Sequence, residues 1–199
     1  MKIPQIICIM SVMLLLAFSN KPRQVEIAYT APAIVVTETA KPVPIIKAVA
    51  RVKRRSGGVG AFMRHISLAE SGHNTTIVNQ YGMLGKYQFA PTTMKGILGK
   101  EVTSEQFLQD ETLQDKAMVT LMRRNRSFLR KVIREFNGQT LNGILVTESG
   151  ILAGAHLVGP GGVLAYFYPE KYDATTVDRN GTTIENYMKK FAGYSLTEL

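Results

Sequence analysis

Cysteine is almost absent from this chain, and its scarcity excludes two kinds of site. The one cysteine among 199 residues is Cys8, which lies in an apolar run near the N-terminus. If that run is removed on export, no thiol remains, so a disulfide framework and a cysteine-ligated metal site are both excluded. The three histidines, His65, His73 and His156, lack the spacing of metal ligands. The sequence therefore predicts a protein with no metal and no cofactor.

The apolar run near the N-terminus predicts export. Residues 6–18 are apolar apart from Ser11 and are preceded by Lys2. The run is shorter than the ~20 residues that a membrane-spanning helix needs, and the small residues Ala17 and Ser19 suit a cleavage site. We predict a signal peptide over residues 1–19 and a periplasmic or secreted protein. An uncleaved N-terminal membrane anchor is the alternative.

Residues 20–57 have the composition of an extended basic linker. They contain four prolines, which remove hydrogen-bond donors and interrupt helices, and eight Lys or Arg against two Glu. The densest basic cluster lies at positions 51–55 and favours contact with an anionic membrane or wall polymer; a solvated spacer is the alternative. No aromatic residue is interleaved with this cluster, so nucleic-acid binding is not expected.

The domain predicted over residues 58–199 begins with an amphipathic helix that carries a candidate acid. Apolar residues recur at helical spacing from Val59 to Ile66, which predicts a helix over 59–70, with Gly72 ending it. Glu70 then lies on the apolar face in the last turn. Partial desolvation and the helix dipole both favour its protonated form, which a general acid requires. A solvent-exposed Glu at a frayed helix end is the alternative.

Three motifs resemble those of a known family. Glu70-Ser71, followed by Gly-Lys-Tyr-Gln at 85–88, resembles the Glu-Ser … Gly-x-x-Gln pattern of lytic transglycosylases, which belong to the lysozyme-like superfamily and cleave the glycan strands of peptidoglycan. Residues 152–163 resemble the third motif, Ala-Tyr-Asn before a Gly-Pro-Gly turn, although His156 occupies the Tyr position and Leu157 the Asn position. Residues 180–194 resemble the ends of bacterial and phage members.

The resemblance implies both a fold and a reaction. The fold would be mainly α with a short β-ribbon at the glycan groove, a lysozyme-like domain after the signal peptide and linker. Glu70 would act alone as acid and then base, protonating the glycosidic oxygen and producing a 1,6-anhydro end. Gln88 would hydrogen-bond the sugar, and Ser71 would orient its N-acetyl group. The partner would be a peptidoglycan glycan strand, bound by a monomer.

Three further residues are candidate substrate contacts. Gly85 lies in a stretch, 81–89, where glycine and aromatics mix, which suits a short β-ribbon or a loop that approaches a ligand closely. Strand alternation would place Tyr87 and Phe89 on one face and Gln88 on the other, so Tyr87 either stacks on a sugar or fills the core. His156 either neighbours Glu70 or is a buried core histidine.

Other features leave alternatives open or concern the core. Hydrolysis on the same fold, by a muramidase, remains possible from the residues alone, as does a non-catalytic wall-binding or assembly protein.

A second Glu-Ser-Gly, at 148–150, lies at a predicted helix start with Ser149 as N-cap, and no catalytic role is predicted for it. Pro91 predicts another helix start. An apolar stripe from Met118 to Phe136 predicts a long core helix.

Overall fold

The computed structural model describes Arg55 and residues 57–199, so the predicted signal peptide and nearly all of the predicted linker lie outside the described residues. Within that part, the chain is mostly helical, with one two-stranded antiparallel sheet, as the sequence predicted. The elements in chain order are α1 Val59–Ser71, α2 Pro91–Leu98, α3 Ser104–Gln109, α4 Glu111–Phe128, α5 Arg130–Phe136, β1 Thr140–Leu141, β2 Ile144–Leu145, α6 Glu148–Phe167 and α7 Ile184–Lys190.

Helix α1 confirms the predicted amphipathic helix. Its buried face includes Phe62 and Ile66, both fully buried. Gly72 adopts a left-handed conformation with φ of 64° and donates its N–H to the Leu68 carbonyl. This cap satisfies a carbonyl at the helix end and turns the chain away sharply. Glu70 is therefore held in the last ordered turn of α1.

The apolar stripe that predicted one long helix is divided between α4 and α5. Leu129 separates the two helices with φ of −89° and ψ of 11°, although its N–H still reaches the Asn125 carbonyl at 2.8 Å. Met118 and Met122 on α4 belong to one buried cluster, whereas Leu129 belongs to a second. Residues of one apolar stripe thus belong to two buried clusters, because the bend at Leu129 turns α5 away from the direction of α4.

Helix α6 lies at the centre of the fold. It is long and apolar enough to cross a membrane by length and composition alone, but more than half of its most apolar window is buried inside the protein. Leu152 contributes to the first cluster and Ile151 to the second. Gly154 packs against Ile184 of α7, since a Cβ there would lie 2.8 Å from that side chain. These contacts identify α6 as a core helix.

Helix α6 has the predicted interruption near its middle, but a different residue caps its start. Gly159 has non-helical φ and ψ of 74° and 167°, and Pro160 follows it, which confirms the predicted break. The predicted N-cap, Ser149, is wrong by two residues. Thr147 caps the helix by accepting the Gly150 N–H at 3.1 Å, while the buried Ser149 hydroxyl donates to the Phe191 carbonyl at 2.8 Å.

The strands are not where the sequence placed them. The two-stranded ribbon pairs Thr140 with Leu145, whereas residues 77–89 form only two isolated bridges, Val78–Leu84 and Leu84–Phe89. Residues 85–88 between them form a turn. Of the ribbon and the loop that the sequence left open for 81–89, the structure has a compact loop, held by backbone bonds between Leu84 and Phe89 at 2.8 and 2.9 Å.

Candidate functional site

A surface cavity of about 300 Å³ brings together three of the predicted site residues, Glu70, Gln88 and His156. The remaining lining comes from two loops, residues 79–83 and 175–180, and from the two residues after His156 on α6. Most of the loop residues are polar, including Asn79, Thr175 and Asn180. The cavity is thus an open, polar recess with the end of α1 in its wall.

Glu70 is largely shielded and has specific neighbours. Its side chain is 17% exposed, which overturns the alternative of an exposed Glu at a frayed end. The Tyr187 hydroxyl of α7 donates a hydrogen bond to Glu70 Oε1, and His156 Nε2 lies 3.8 Å from the same oxygen. The carboxyl group is therefore positioned by a helix 117 residues further along the chain.

His156 combines the two roles that the sequence left open. Its side chain is only 8% exposed, and its ring packs edge-on against Phe89. Nε2 lies 2.9 Å from the Tyr87 carbonyl, which can only accept, so Nε2 carries the proton. Nδ1 is buried and has no hydrogen-bond partner in the described part of the chain. His156 is thus a buried histidine whose donor bond fixes its ring beside Glu70.

Tyr187 was not predicted as a site residue. Burial raises the pKa of its hydroxyl well above the usual range, and the charge of Glu70 raises it further. It therefore remains a donor at any pH at which the fold is stable. In the sequence, Tyr187 is only one residue of the segment 180–194, and nothing there indicates a contact with Glu70. The tyrosine hydroxyl that reaches Glu70 therefore belongs to α7, whereas residues 152–163 contribute His156.

Three predicted site residues lie outside the cavity lining. Ser71 joins α1 to the following loop, donating to the Lys86 carbonyl and accepting from the Asn74 N–H, both at 3.0 Å. Tyr87 is 2% exposed, and its hydroxyl donates to Asp115 at 2.6 Å. Gly85 has φ of 67° and lies directly against a buried side chain. All three hold the loop that carries Gln88.

The turn at 85–88 is anchored to α4. Lys86 donates its backbone N–H to the fully buried Gln114 side chain at 2.8 Å. The Lys86 ammonium group, itself 2% exposed, lies 2.7 Å from Glu111 and 2.8 Å from Asp115. These acids therefore neutralise Lys86, and neither lines the cavity.

Gln88 is presented to the cavity by an unusual backbone conformation. Its φ is 53°, in the left-handed region, and its side-chain amide donates to the Gly85 carbonyl at 2.8 Å. The amide oxygen Oε1 has no partner among residues 57–199, so it is available to accept from a ligand hydroxyl. This is the only predicted substrate contact on the turn whose side chain lines the cavity.

A second carboxylate, Asp178, also lines the cavity. Its Oδ1 accepts the backbone N–H groups of Asn180 at 2.9 Å and Thr182 at 2.6 Å. Nothing in the local sequence marked it, because an Asp in a polar turn is ordinarily structural. The other Glu-Ser-Gly, by contrast, is remote: Glu148 pairs with Arg126 at 2.6 Å and is not part of the lining.

Comparison with family models, curated proteins and solved structures finds no match to this chain. The described residues contain no cluster of three or more His, Cys, Asp or Glu arranged to hold a metal ion.

Proposed function

We propose that this chain is an exported lytic transglycosylase that cleaves the glycan strands of peptidoglycan on a lysozyme-like domain, with Glu70 as acid and base. The observation that carries the proposal is the setting of Glu70: a shielded carboxyl group in the wall of an open polar cavity, bound by the Tyr187 hydroxyl. Gln88, the glutamine of the Gly-x-x-Gln pattern at 85–88, lines the same cavity.

The lining suits a carbohydrate ligand. Amide and hydroxyl side chains, such as Asn79, Thr175 and Gln88, match the many donors and acceptors of a sugar. Tyr81 is 38% exposed at the cavity and offers an aromatic face to a sugar ring. A polar recess with one exposed aromatic side chain supports a glycan more than an apolar small molecule.

Glu70 would act twice in one cycle. Protonated Glu70 donates its proton to the glycosidic oxygen while the C1–O bond breaks, and the acetamido oxygen of the same sugar stabilises C1. The resulting carboxylate then takes the proton of the 6-hydroxyl as O6 bonds to C1, which closes a 1,6-anhydro ring and regenerates the acid. The Tyr187 hydroxyl holds the carboxylate between these steps. No water is consumed.

Hydrolysis by the same site is the second candidate, and Asp178 is the observation that favours it. Glycoside hydrolases commonly use two carboxylates, one of which activates water or stabilises the cation. The cavity contains two, Glu70 and Asp178. Mass analysis of the products separates the candidates, since a hydrolysed end contains one more water than a 1,6-anhydro end.

The test compares Glu70→Gln with wild type on purified peptidoglycan. Removing general acid–base catalysis should reduce release of soluble fragments by about 10²- to 10⁴-fold. Glu148→Gln is the matched control, because Glu148 occurs in the same Glu-Ser-Gly tripeptide, is also partly buried and has a partner, yet lies outside the cavity. Activity of Glu70→Gln close to that of wild type would contradict the proposal.

A further inference from the structure

We propose that Asp178 is a second catalytic carboxylate of this site, whose negative charge stabilises the cationic sugar formed when the glycosidic bond breaks. This inference rests on the proposed glycan-cleaving function and concerns a residue outside the motifs. It holds whether the 6-hydroxyl or a water molecule completes the reaction.

Asp178 is held rigidly at the cavity. The chain folds back between Val177 and Thr183, which form an isolated antiparallel bridge. Asp178 exchanges backbone bonds within this turn, donating to the Thr182 carbonyl at 2.9 Å and accepting the Gly181 N–H at 3.1 Å. With two further N–H groups on Oδ1, the side chain has a fixed direction. Electrostatic catalysis requires such preorganisation.

No ion pair within the described part of the chain neutralises the charge of Asp178. Its Oδ2 has no hydrogen bond, and no Lys, Arg or His among the described residues forms an ion pair with it. The adjacent Arg179 instead places its guanidinium 5.7 Å from the centre of the Tyr81 ring, on the other loop of the cavity. By contrast, Glu148 is paired with Arg126, and Glu111 with Lys86. Asp178 is free to act on a ligand.

Asp178 is also linked to Glu70 through α7. Tyr187 lies in the middle of α7, which begins directly after the turn that carries Asp178. Its hydroxyl pKa is raised by burial, by the Glu70 charge and also by the charge of Asp178. Because Glu70 and Asp178 line the same cavity, a sugar ring bound at Glu70 would experience the field of Asp178 as well.

The step in which Asp178 acts is the breaking of the C1–O bond. The proton of Glu70 goes to the leaving oxygen, the bonding electron pair leaves with that oxygen, and positive charge develops on C1 and the ring oxygen. The Asp178 carboxylate forms no covalent bond and lowers the energy of this cation. When a hydroxyl group then bonds to C1, its proton returns to Glu70.

The test is Asp178→Asn in the full chain, assayed on soluble peptide-free glycan strands. Asparagine retains an Oδ1 acceptor for both backbone N–H groups, so the turn is preserved while the charge is removed. We expect kcat to fall about 10²- to 10³-fold, with KM and Tm nearly unchanged. Asp173→Asn is the matched control, because Asp173 is exposed, lies in the same segment and does not line the cavity.

The outcomes separate this inference from the proposed function. If Glu70→Gln is inactive while Asp178→Asn keeps the kcat of wild type, only the role of Asp178 is overturned. If Glu70→Gln remains active, both proposals are overturned. A charge-retaining variant, Asp178→Glu, distinguishes an electrostatic effect from a purely structural one. A kcat higher than that of Asp178→Asn supports the electrostatic role of Asp178. An equal loss of kcat in both variants, with a lowered Tm, refutes that role.

Discussion

Replacing Gly85 with alanine tests how the turn that presents Gln88 is held. Gly85 has φ of 67°, where an L-residue costs about 1–2 kcal/mol. A Cβ there would also lie 2.3 Å from Oε1 of Gln114, which is far inside contact distance. Gln114 must therefore move, and its surroundings determine how much stability is lost.

The loss follows from the bonds that Gln114 makes. Its Oε1 accepts the Lys86 N–H at 2.8 Å, and its Nε2 donates to the carbonyls of Thr75 at 2.8 Å and Phe107 at 2.9 Å. Each buried group left unpaired costs about 1–3 kcal/mol. Losing two of these bonds and adding the backbone strain lowers the free energy of unfolding by about 3–8 kcal/mol. A domain in the upper half of the usual range of about 5–15 kcal/mol would remain folded.

Gly82→Ala is the matched control. Gly82 has a similar φ of 74°, but a Cβ there meets nothing within 4 Å, so only the backbone strain of about 1–2 kcal/mol applies. Urea unfolding of both variants measures the difference. Equal destabilisation of the two would refute the role assigned to Gln114. Adding Gln114→Ala to Gly85→Ala should cost less than the sum of the single changes, because the clash is removed.

Two further predictions concern hydroxyl positioning and pH. Tyr187→Phe keeps the ring packing but removes the hydrogen bond to Glu70, which contributes about 1.5–3 kcal/mol. We expect kcat to fall about 10- to 100-fold and Tm to decrease by several degrees; an unchanged kcat in a glycan assay would contradict this role. Desolvation, then Arg55 and Lys190, lower the pKa of His65. Because protonation of His65 is less favourable in the folded state, its contribution to the free energy of unfolding should be fully present above about pH 6.5 and decrease as the pH falls. Urea unfolding at two pH values should show a smaller acid-induced decrease in His65→Gln than in wild type, and an equal decrease would refute this.

The parts of the fold with local causes could be predicted from the sequence. Helix α1 follows from a sustained apolar period, and Gly72 ends it because a left-handed residue favours glycine. Pro91 occupies the first position of α2 as expected, and Gly159 interrupts α6 just before Pro160. In each case the determining interaction lies within one helical turn of the residue concerned.

The loop carrying Gln88 shows a prediction that was correct for a different reason. Alternation along a strand separated Gln88 from Tyr87 and Phe89, and the two aromatics are indeed buried. The backbone is nevertheless a turn, and a positive φ at the non-glycine Gln88 produces the separation. Such a conformation is imposed by surrounding contacts and has no sequence signature.

The residues that were missed depend on contacts between distant segments. Tyr187 reaches Glu70 only because α7 packs on the helices around it, and Asp178 reaches the cavity because its turn precedes α7. The divided stripe at Leu129 has the same origin, since periodicity reports that residues are buried but not in which cluster. Tertiary packing, and not local pattern, determines these three features.

The pairing of Glu70 with Tyr187 has a consequence for biosynthesis. Its two members come from α1 and α7, the first and last helices of the described residues, so α7 must be synthesised before the acid acquires its hydroxyl partner. A nascent or prematurely terminated chain can form α1 but lacks the completed pair. Truncation before α7 would therefore leave the sequence of Glu70 and α1 intact but remove the hydrogen-bond partner of the carboxyl group.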